Sequence, residues 1–239
     1  MNASRHKFKV PSPFVLSVLP SMQKDAFAKD WWLPRHRQKI TERETMNKQV
    51  DLLFLGDSIT HAWEYTAPKI WQQYYGLRRA LNLGFDGDRT ENLLWRIENG
   101  AIDDICPKLI VLLIGTNNAG HRQESSQQTA LGIKAILQEL RSRLPQSKIL
   151  LMALFPRSKK PSQQLRVLVE GTNQLIQHYA DGEHILWKDI NHHFVDEQGI
   201  VHESIMPDFL HPNPKQYQVW AEAIEPQVQA ICGENKSQK

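Results

Sequence analysis

Four short polar segments carry the residues in this chain that could do chemistry, and three of them follow directly on apolar runs. They are Gly56-Asp57-Ser58-Ile59-Thr60, Asn82-Leu83-Gly84-Phe85-Asp86-Gly87-Asp88, Gly115-Thr116-Asn117-Asn118 and Asp208-Phe209-Leu210-His211. A serine hydroxyl is a poor nucleophile at neutral pH and needs an adjacent base to take its proton. His211 is the candidate base for Ser58, because an imidazole can accept that proton and later return it. Asp208 lies three residues earlier, just before a helix start. That spacing lets its carboxylate reach Nδ1 of the same imidazole, fixing the tautomer and stabilising the imidazolium. The chemistry would be acyl transfer. Asp57 is expected to hydrogen-bond the turn that presents Ser58. The serine does not sit in G-x-S-x-G, so the nucleophile elbow of the α/β-hydrolases is not indicated.

The apolar runs read as strands that would hold these segments at one edge of a sheet. Val50 to Leu55 is nearly continuously apolar and closed by Gly56, as suits a strand covered on both faces. Ala80 to Leu83, Leu109 to Ile114, Ile149 to Leu154 and His184 to Trp187 make five candidates. Helical patterns fall between them. Thr90 to Ile97 is one. A stripe from Ile133 through Ile136, Leu137 and Leu140 to Leu144, stopped by Pro145, is a second, and Leu165 to Tyr179 is a third. Asn213-Pro214 reads as an N-cap and first helical position, opening a last helix to about Ile231 that Pro226 would kink or split. Strands alternating with helices predict a three-layer α/β/α sandwich on a mostly parallel five-stranded sheet. In such sheets reactive residues gather beyond the carboxyl ends of the strands, where three of these segments lie.

At 239 residues the chain reads as one domain, large enough to bury a core without disulfides or a structural metal. Residues 1–46 lack clear periodicity, and the Trp31-Trp32-Leu33-Pro34 cluster marks them as an arm packed on the core. Residues 233–239 form a polar tail. A net charge of +3, with basic residues dispersed apart from Arg5, Lys7 and Lys9, argues against nucleic acid as a partner. Cys106 and Cys232 lack metal or disulfide spacing. His192-His193 lacks a third ligand at usable spacing, and Asp86-Gly87-Asp88 lacks the remaining acids of a calcium loop, so no metal or other cofactor is expected. No apolar stretch approaches the roughly 18 residues of a membrane helix, and Pro13 to Met22 is too short and interrupted for a signal peptide. The expected location is the cytoplasm.

Taken together, the four segments resemble the SGNH (GDSL-type) hydrolase superfamily, named for the Ser, Gly, Asn and His of its motif blocks. Here those letters fall on Ser58, Gly84, Asn117 and His211. The resemblance runs from about Trp31 to Ile224 and is strongest to the catalytic α subunits of the intracellular platelet-activating-factor acetylhydrolases. It rests on Ala80 to Asn118, on Pro156-Arg157 with Lys160-Pro161, and on Asp208 to His211. Pro212-Asn213-Pro214 departs from the pattern, standing where a glycine-rich turn is expected. The resemblance implies the superfamily's flavodoxin-like sheet and the triad Ser58, Asp208 and His211. It also implies an oxyanion hole made by the backbone N–H groups of Ser58 and Gly84 with the Asn117 amide. Ile59, Thr116 and Leu210, flanking the motif residues, would line an acyl pocket. The implied activity is hydrolysis of small esters, acetyl esters foremost, through an acyl-enzyme. Lysophospholipase or thioesterase action is the neighbouring alternative, and pairing into a homodimer is implied by the same likeness. A non-catalytic flavodoxin-like binding module would need a fuller phosphate-cradling loop than Gly56 to Thr60 supplies. It would also leave Asp208 and His211 unexplained, and an inactive assembly subunit would be expected to lack a triad residue.

Overall fold

The computed structural model describes residues 15–234. Its sheet contains β1 (Leu52–Gly56), β2 (Ala80–Gly84), β3 (Leu109–Leu113), β4 (Lys148–Met152) and β5 (Ile185–Lys188). The order is β2-β1-β3-β4-β5, parallel throughout rather than mostly so. This is the flavodoxin-like order, whose topological switch point lies between β1 and β3. All five strands stand where the apolar runs predict, with ends shifted by up to two residues. The fourth run outlasts its strand because the Asn173 side chain satisfies the backbone of Leu154, accepting from its N–H at 2.8 Å and donating to its carbonyl at 2.9 Å.

Alternation along the strands divides the core into two layers. Leu52, Phe54, Val111, Leu150 and Met152 face one side, where Trp63, Tyr75, Tyr217 and Trp220 pack. Leu53, Leu55, Ile110, Leu112 and Leu151 face the other, where Leu93, Ile133, Ile136 and Leu140 pack. The helices supplying these layers are α1 (Trp32–Thr45), α2 (Ser58–His61), α3 (Pro68–Tyr75), α4 (Thr90–Arg96), α5 (Thr116–Arg122), α6 (Ser126–Arg143), α7 (Gln164–Ile176) and α8 (Pro214–Cys232). Asn213 caps α8 by accepting from the Gln216 N–H. Pro226 does not split α8, and Gly233, at φ 86°, ends it. α2, α3 and α5, at four to eight residues, are too short to show a period in sequence.

The arm is the main departure. From Val15 onward it is packed on the core, but residues 32–45 of it are the helix α1. The stripe that α1 buries is Trp32, Arg35, His36, Lys39 and Arg43. That is helical spacing written mostly in cations, which an apolar pattern cannot reveal. Each finds a partner: Arg35 forks onto Glu64, Lys39 reaches Glu42 and Glu64, and Arg43 bonds the Gly100 carbonyl. Residues 1–14, including Arg5, Lys7 and Lys9, and residues 235–239 of the polar tail lie outside the described residues.

Trp32 anchors α1 to the centre of the molecule, donating its indole N–H to Asp88 Oδ1 at 2.6 Å. The second Asp88 oxygen accepts from Arg96 Nε at 2.8 Å, and both charged side chains are 0% exposed. Arg96 also donates to the carbonyls of Leu83 (3.0 Å) and Gly56 (3.3 Å), the ends of β2 and β1, and stacks 4.0 Å over the Phe85 ring. Removing one partner of such a pair strands the other as an uncompensated buried charge. Arg96→Met should therefore lower unfolding free energy by about 3–5 kcal/mol in denaturant titration. A change within 1 kcal/mol would show the pair to be dispensable.

Candidate active site

β1 ends at Gly56, and the chain turns at once into α2. Asp57 makes the turn by accepting the Ile59 N–H on Oδ1 at 3.0 Å, which leaves Ser58 as the first residue of the helix. The Ser58 hydroxyl donates to His211 Nε2 at 2.8 Å, across 153 residues of sequence. His211 Nδ1–H donates to Asp208 Oδ2 at 2.6 Å, while Asp208 Oδ1 accepts the backbone N–H groups of His211 (2.8 Å) and Leu210 (3.1 Å). Phe209, at φ 57°, makes this tight turn in the left-handed region, which a non-glycine residue occupies only under constraint. Partial burial pushes the Asp208 carboxyl up, but the His211 ring and backbone N–H groups outweigh it and hold it below its ordinary range. With Nδ1 bonded to Asp208, Nε2 is the nitrogen free to take the serine proton.

Gly84 ends β2 beside this turn. A Cβ there would lie 2.1 Å from the His61 backbone nitrogen, so glycine is what lets the strand end abut the helix that carries Ser58. Asn82 ties the same two elements together. Its Nδ2 donates to the Thr60 carbonyl at 2.9 Å and its Oδ1 accepts the Gly84 N–H at 2.7 Å. The Gly84 N–H, expected from the resemblance to point at an oxyanion, is therefore already engaged here. Asn117 is buried after β3 and donates one amide hydrogen to the Asp88 carbonyl at 3.1 Å, leaving the second. Asn118 does more than close its turn. It accepts from the Thr90 N–H and donates to Thr90 Oγ1 and Glu124, tying α5 to the start of α4.

Of the residues expected to line an acyl pocket, Ile59 and Thr116 are buried (1% and 2% exposed), and Leu210 is half-buried on a groove. The Ile59 carbonyl accepts the Tyr217 hydroxyl at 2.7 Å. His61, one turn beyond Ser58, is largely buried, and its Nδ1 lies 2.8 Å from Asp86 Oδ1. Asp86-Gly87-Asp88 is a turn, with Gly87 at φ 72°. The His192 and His193 rings lie against each other, centroids 3.9 Å apart.

Two positioning cations escaped sequence reasoning. Arg35 donates through Nε and Nη2 to the Gly84 carbonyl at 3.1 and 3.0 Å, and Arg96 holds the Gly56 and Leu83 carbonyls. The signal that could have found Arg35 is the cationic stripe at helical spacing. For Arg96 it is a lone charge in an otherwise apolar helix face.

The chain matches the sequence profile of the GDSL-like lipase/acylhydrolase family over residues 54–219. It is 34% identical over 196 residues to the alpha2 subunit of platelet-activating factor acetylhydrolase IB from Rattus norvegicus, covering 82% of each chain. To the human alpha1 subunit it is 32% identical over 195 residues, covering 80% of each. Among solved structures it is similar to a GDSL-like lipase from Bacteroides thetaiotaomicron, with TM-score 0.66 and 18% identity over 82% of this chain and 97% of that one. A carbohydrate acetylesterase family member from Sinorhizobium meliloti superposes with TM-score 0.60 and 17% identity, over 77% of this chain and all of the other.

Asp57 is the electrostatic outlier of the site. Its Oδ2 is buried with no hydrogen-bond partner. Burial pushes the carboxyl up to about 7, against the Ile59 N–H and Arg157 and with the help of Asp88 and Asp86. An aspartate in an unfolded chain titrates near about 3.9, so at intermediate pH the folded chain holds a proton that the unfolded chain releases. The stability this group contributes is complete below about pH 4 and is lost as pH rises to about 7. Asp57→Asn keeps an oxygen for the Ile59 N–H and removes the ionisation. The wild-type Tm should fall relative to that of Asp57→Asn across this interval and run parallel to it above. A constant difference from acid to neutral pH would show that Asp57 titrates normally.

Proposed function

The chain belongs to the GDSL-like lipase/acylhydrolase family and is an ester hydrolase, and from that premise we propose that Ser58 is its nucleophile and short acyl groups, acetyl foremost, its cargo. The observation that carries the reading is the unbroken hydrogen-bond chain from Ser58 through His211 to Asp208. In it His211 removes the serine proton as Oγ attacks the ester carbonyl. His211 then delivers that proton to the departing alkoxide, leaving an acyl-enzyme, and next activates the water that releases the acid. Asp208 fixes the imidazole tautomer and stabilises the imidazolium.

Charge on the carbonyl oxygen would be met by the Ser58 N–H, at the helix start where no intrahelical acceptor exists, and by the remaining Asn117 amide hydrogen. The Gly84 N–H would join them by sharing its bond to Asn82. Every step is proton transfer or hydrogen bonding from these side chains, so the scheme calls for no cofactor. Ile59 and Thr116, the expected lining of the acyl pocket, are buried, which supports a short acyl group. The names of the relatives, platelet-activating factor acetylhydrolase subunits, point the same way. No helix among the described residues is long and apolar enough to cross a membrane. That accords with a cytoplasmic enzyme acting on dissolved or dispersed esters.

Hydrolysis of 4-nitrophenyl acetate tests the assignment. Ser58→Ala and His211→Ala should each lose several orders of magnitude in kcat. Asn117→Ala should lose roughly 10²–10³ through the missing oxyanion donor. Wild-type inactivity, or a Ser58→Ala variant as fast as wild type, would reject the nucleophile. In a series of 4-nitrophenyl esters, kcat/KM should fall from acetate to longer chains; a maximum at octanoate would reject the short-acyl reading.

A further inference from the structure

Arg157 stands in the loop after β4, beside the catalytic turn. The Ser158 N–H donates to the Phe209 carbonyl at 2.8 Å, tying this loop to the segment that carries Asp208 and His211. Arg157 is half-buried and donates Nη1 to the Thr116 carbonyl (2.9 Å) and hydroxyl (3.2 Å). No described group accepts from its Nε or Nη2, and no described carboxylate pairs with it; Asp57 and Asp208 act on it only at longer range.

Among the described residues the buried arginines Arg35, Arg43, Arg78, Arg89, Arg96 and Arg166 all have a carboxylate partner, and the half-buried Arg141, which lacks one, places both of its Nη groups on backbone carbonyls. Burial lowers the pKa of the Arg157 guanidinium, with Asp57 and Asp208 opposing the fall. A desolvated cation without its counter-charge is destabilising, and an anionic ligand would offset that cost.

The space in front of Arg157 is a groove of about 420 Å³, walled by Lys159, Gln163, Leu165, Phe209 and Leu210 and bounded by Asp208. Asp208 hydrogen-bonds His211 and acts on Arg157 only through space. The groove borders the turn that carries His211 through Asp208, Phe209 and Leu210. In acyl transfer the imidazole protonates the leaving oxygen, so the alcohol portion of the ester lies toward the imidazole.

We propose that this groove receives the alcohol portion of the substrate and that Arg157 pairs there with an anionic group on it, a carboxylate, sulfate or phosphate. The free guanidinium edge, with its two N–H directions, suits such an oxyanion, and Lys159 adds charge at the mouth. Phe209 and Leu210 supply the apolar walls for the carbon skeleton between ester and anion. This inference rests on Ser58 acting as the esterase nucleophile.

Matched aryl acetates separate the two claims. 4-Acetoxybenzoate and 4-acetoxyphenyl phosphate carry the anion, and 4-acetoxybenzamide is the neutral counterpart. Wild type should prefer the anionic esters in kcat/KM, and Arg157→Gln should cost those esters about tenfold more than it costs the amide. Arg157→Lys should keep part of the preference. Equal losses for all three esters would overturn the proposal and leave Arg157 a positioning residue for Thr116; so would the absence of any preference in wild type. Should wild type hydrolyse none of them, the esterase reading fails, and the groove is judged by calorimetric binding of 4-acetoxybenzoate to Ser58→Ala with and without Arg157→Gln. Binding weakened about tenfold by the second change would uphold the anion site, and binding left equal would overturn it.

Discussion

The buried pair between Asp88 and Arg96 is the constraint on which the rest of the structure depends. Arg96 holds the carbonyls of Gly56 and Leu83 at the ends of β1 and β2, the Asp88 carboxylate holds α1 through Trp32, and the Asp88 backbone carbonyl holds the Asn117 amide. Burial pushes the Asp88 carboxyl up to about 6, with Arg96 and the Trp32 N–H limiting the rise. A buried pair seldom stabilises a fold more than well-packed apolar residues would. What apolar residues could not do is bond two strand-end carbonyls and an indole at once. The pair fixes where the strand ends stand relative to one another, and the nucleophile and its amide neighbour inherit that geometry.

A second consequence is electrostatic. Arg35 and Arg96 both donate to carbonyls at the Gly56 and Gly84 strand ends, and Arg157 donates to that of Thr116. Three guanidinium groups thus surround the turn where negative charge would develop during attack. Their balancing carboxylates are unequal: Glu64 engages Arg35, Asp88 engages Arg96, and Arg157 has no carboxylate partner among the described residues. Burial lowers the pKa of both Arg96 and Arg157, so neither charge is dissipated into solvent. Fixed cations at low dielectric act on a developing oxyanion without having to reorganise.

Much of this was legible in the sequence, and for identifiable reasons. The central strands β1 and β3 show most clearly because each is buried on both faces and so reads as a continuous apolar run, whereas the edge strand β5, half-buried throughout, gives the weakest signal. Ser58 and Asn117 show because polar motifs interrupt those runs at their carboxyl ends, where a parallel sheet gathers its loops, and the Asp208 and His211 pair shows by its three-residue spacing just before the last helix. The helix α1 does not show, because its buried face is basic and its partners, Glu64 and the Gly84 carbonyl, lie elsewhere in sequence. The engagement of the Gly84 N–H by Asn82 is equally hidden. A backbone donor's partner depends on a rotamer, and nothing in the order of residues specifies it. Asp57 was read as a turn residue from its place before the serine, but its unpartnered second oxygen follows only from burial that the packed molecule creates.

The catalytic turn and the groove beside it are one mechanical unit. Phe209 holds a left-handed backbone that it would not adopt alone, and its carbonyl is fixed by the Ser158 N–H. The Ser158 and Arg157 carbonyls are in turn fixed by Arg166, which is itself almost wholly buried and paired with Glu170. Through these bonds the placement of His211 relative to Ser58 depends on the loop after β4, whose side chains wall the groove. A change that widened the groove by moving that loop would also release the constraint on Phe209 and shift the imidazole. Substrate range on the proposed alcohol side can therefore vary freely only through side chains such as Lys159 and Leu165, since Gln163 itself accepts the Lys160 N–H of that loop, whereas the proposed acyl side, with the buried Ile59 and Thr116, is tied to the core itself.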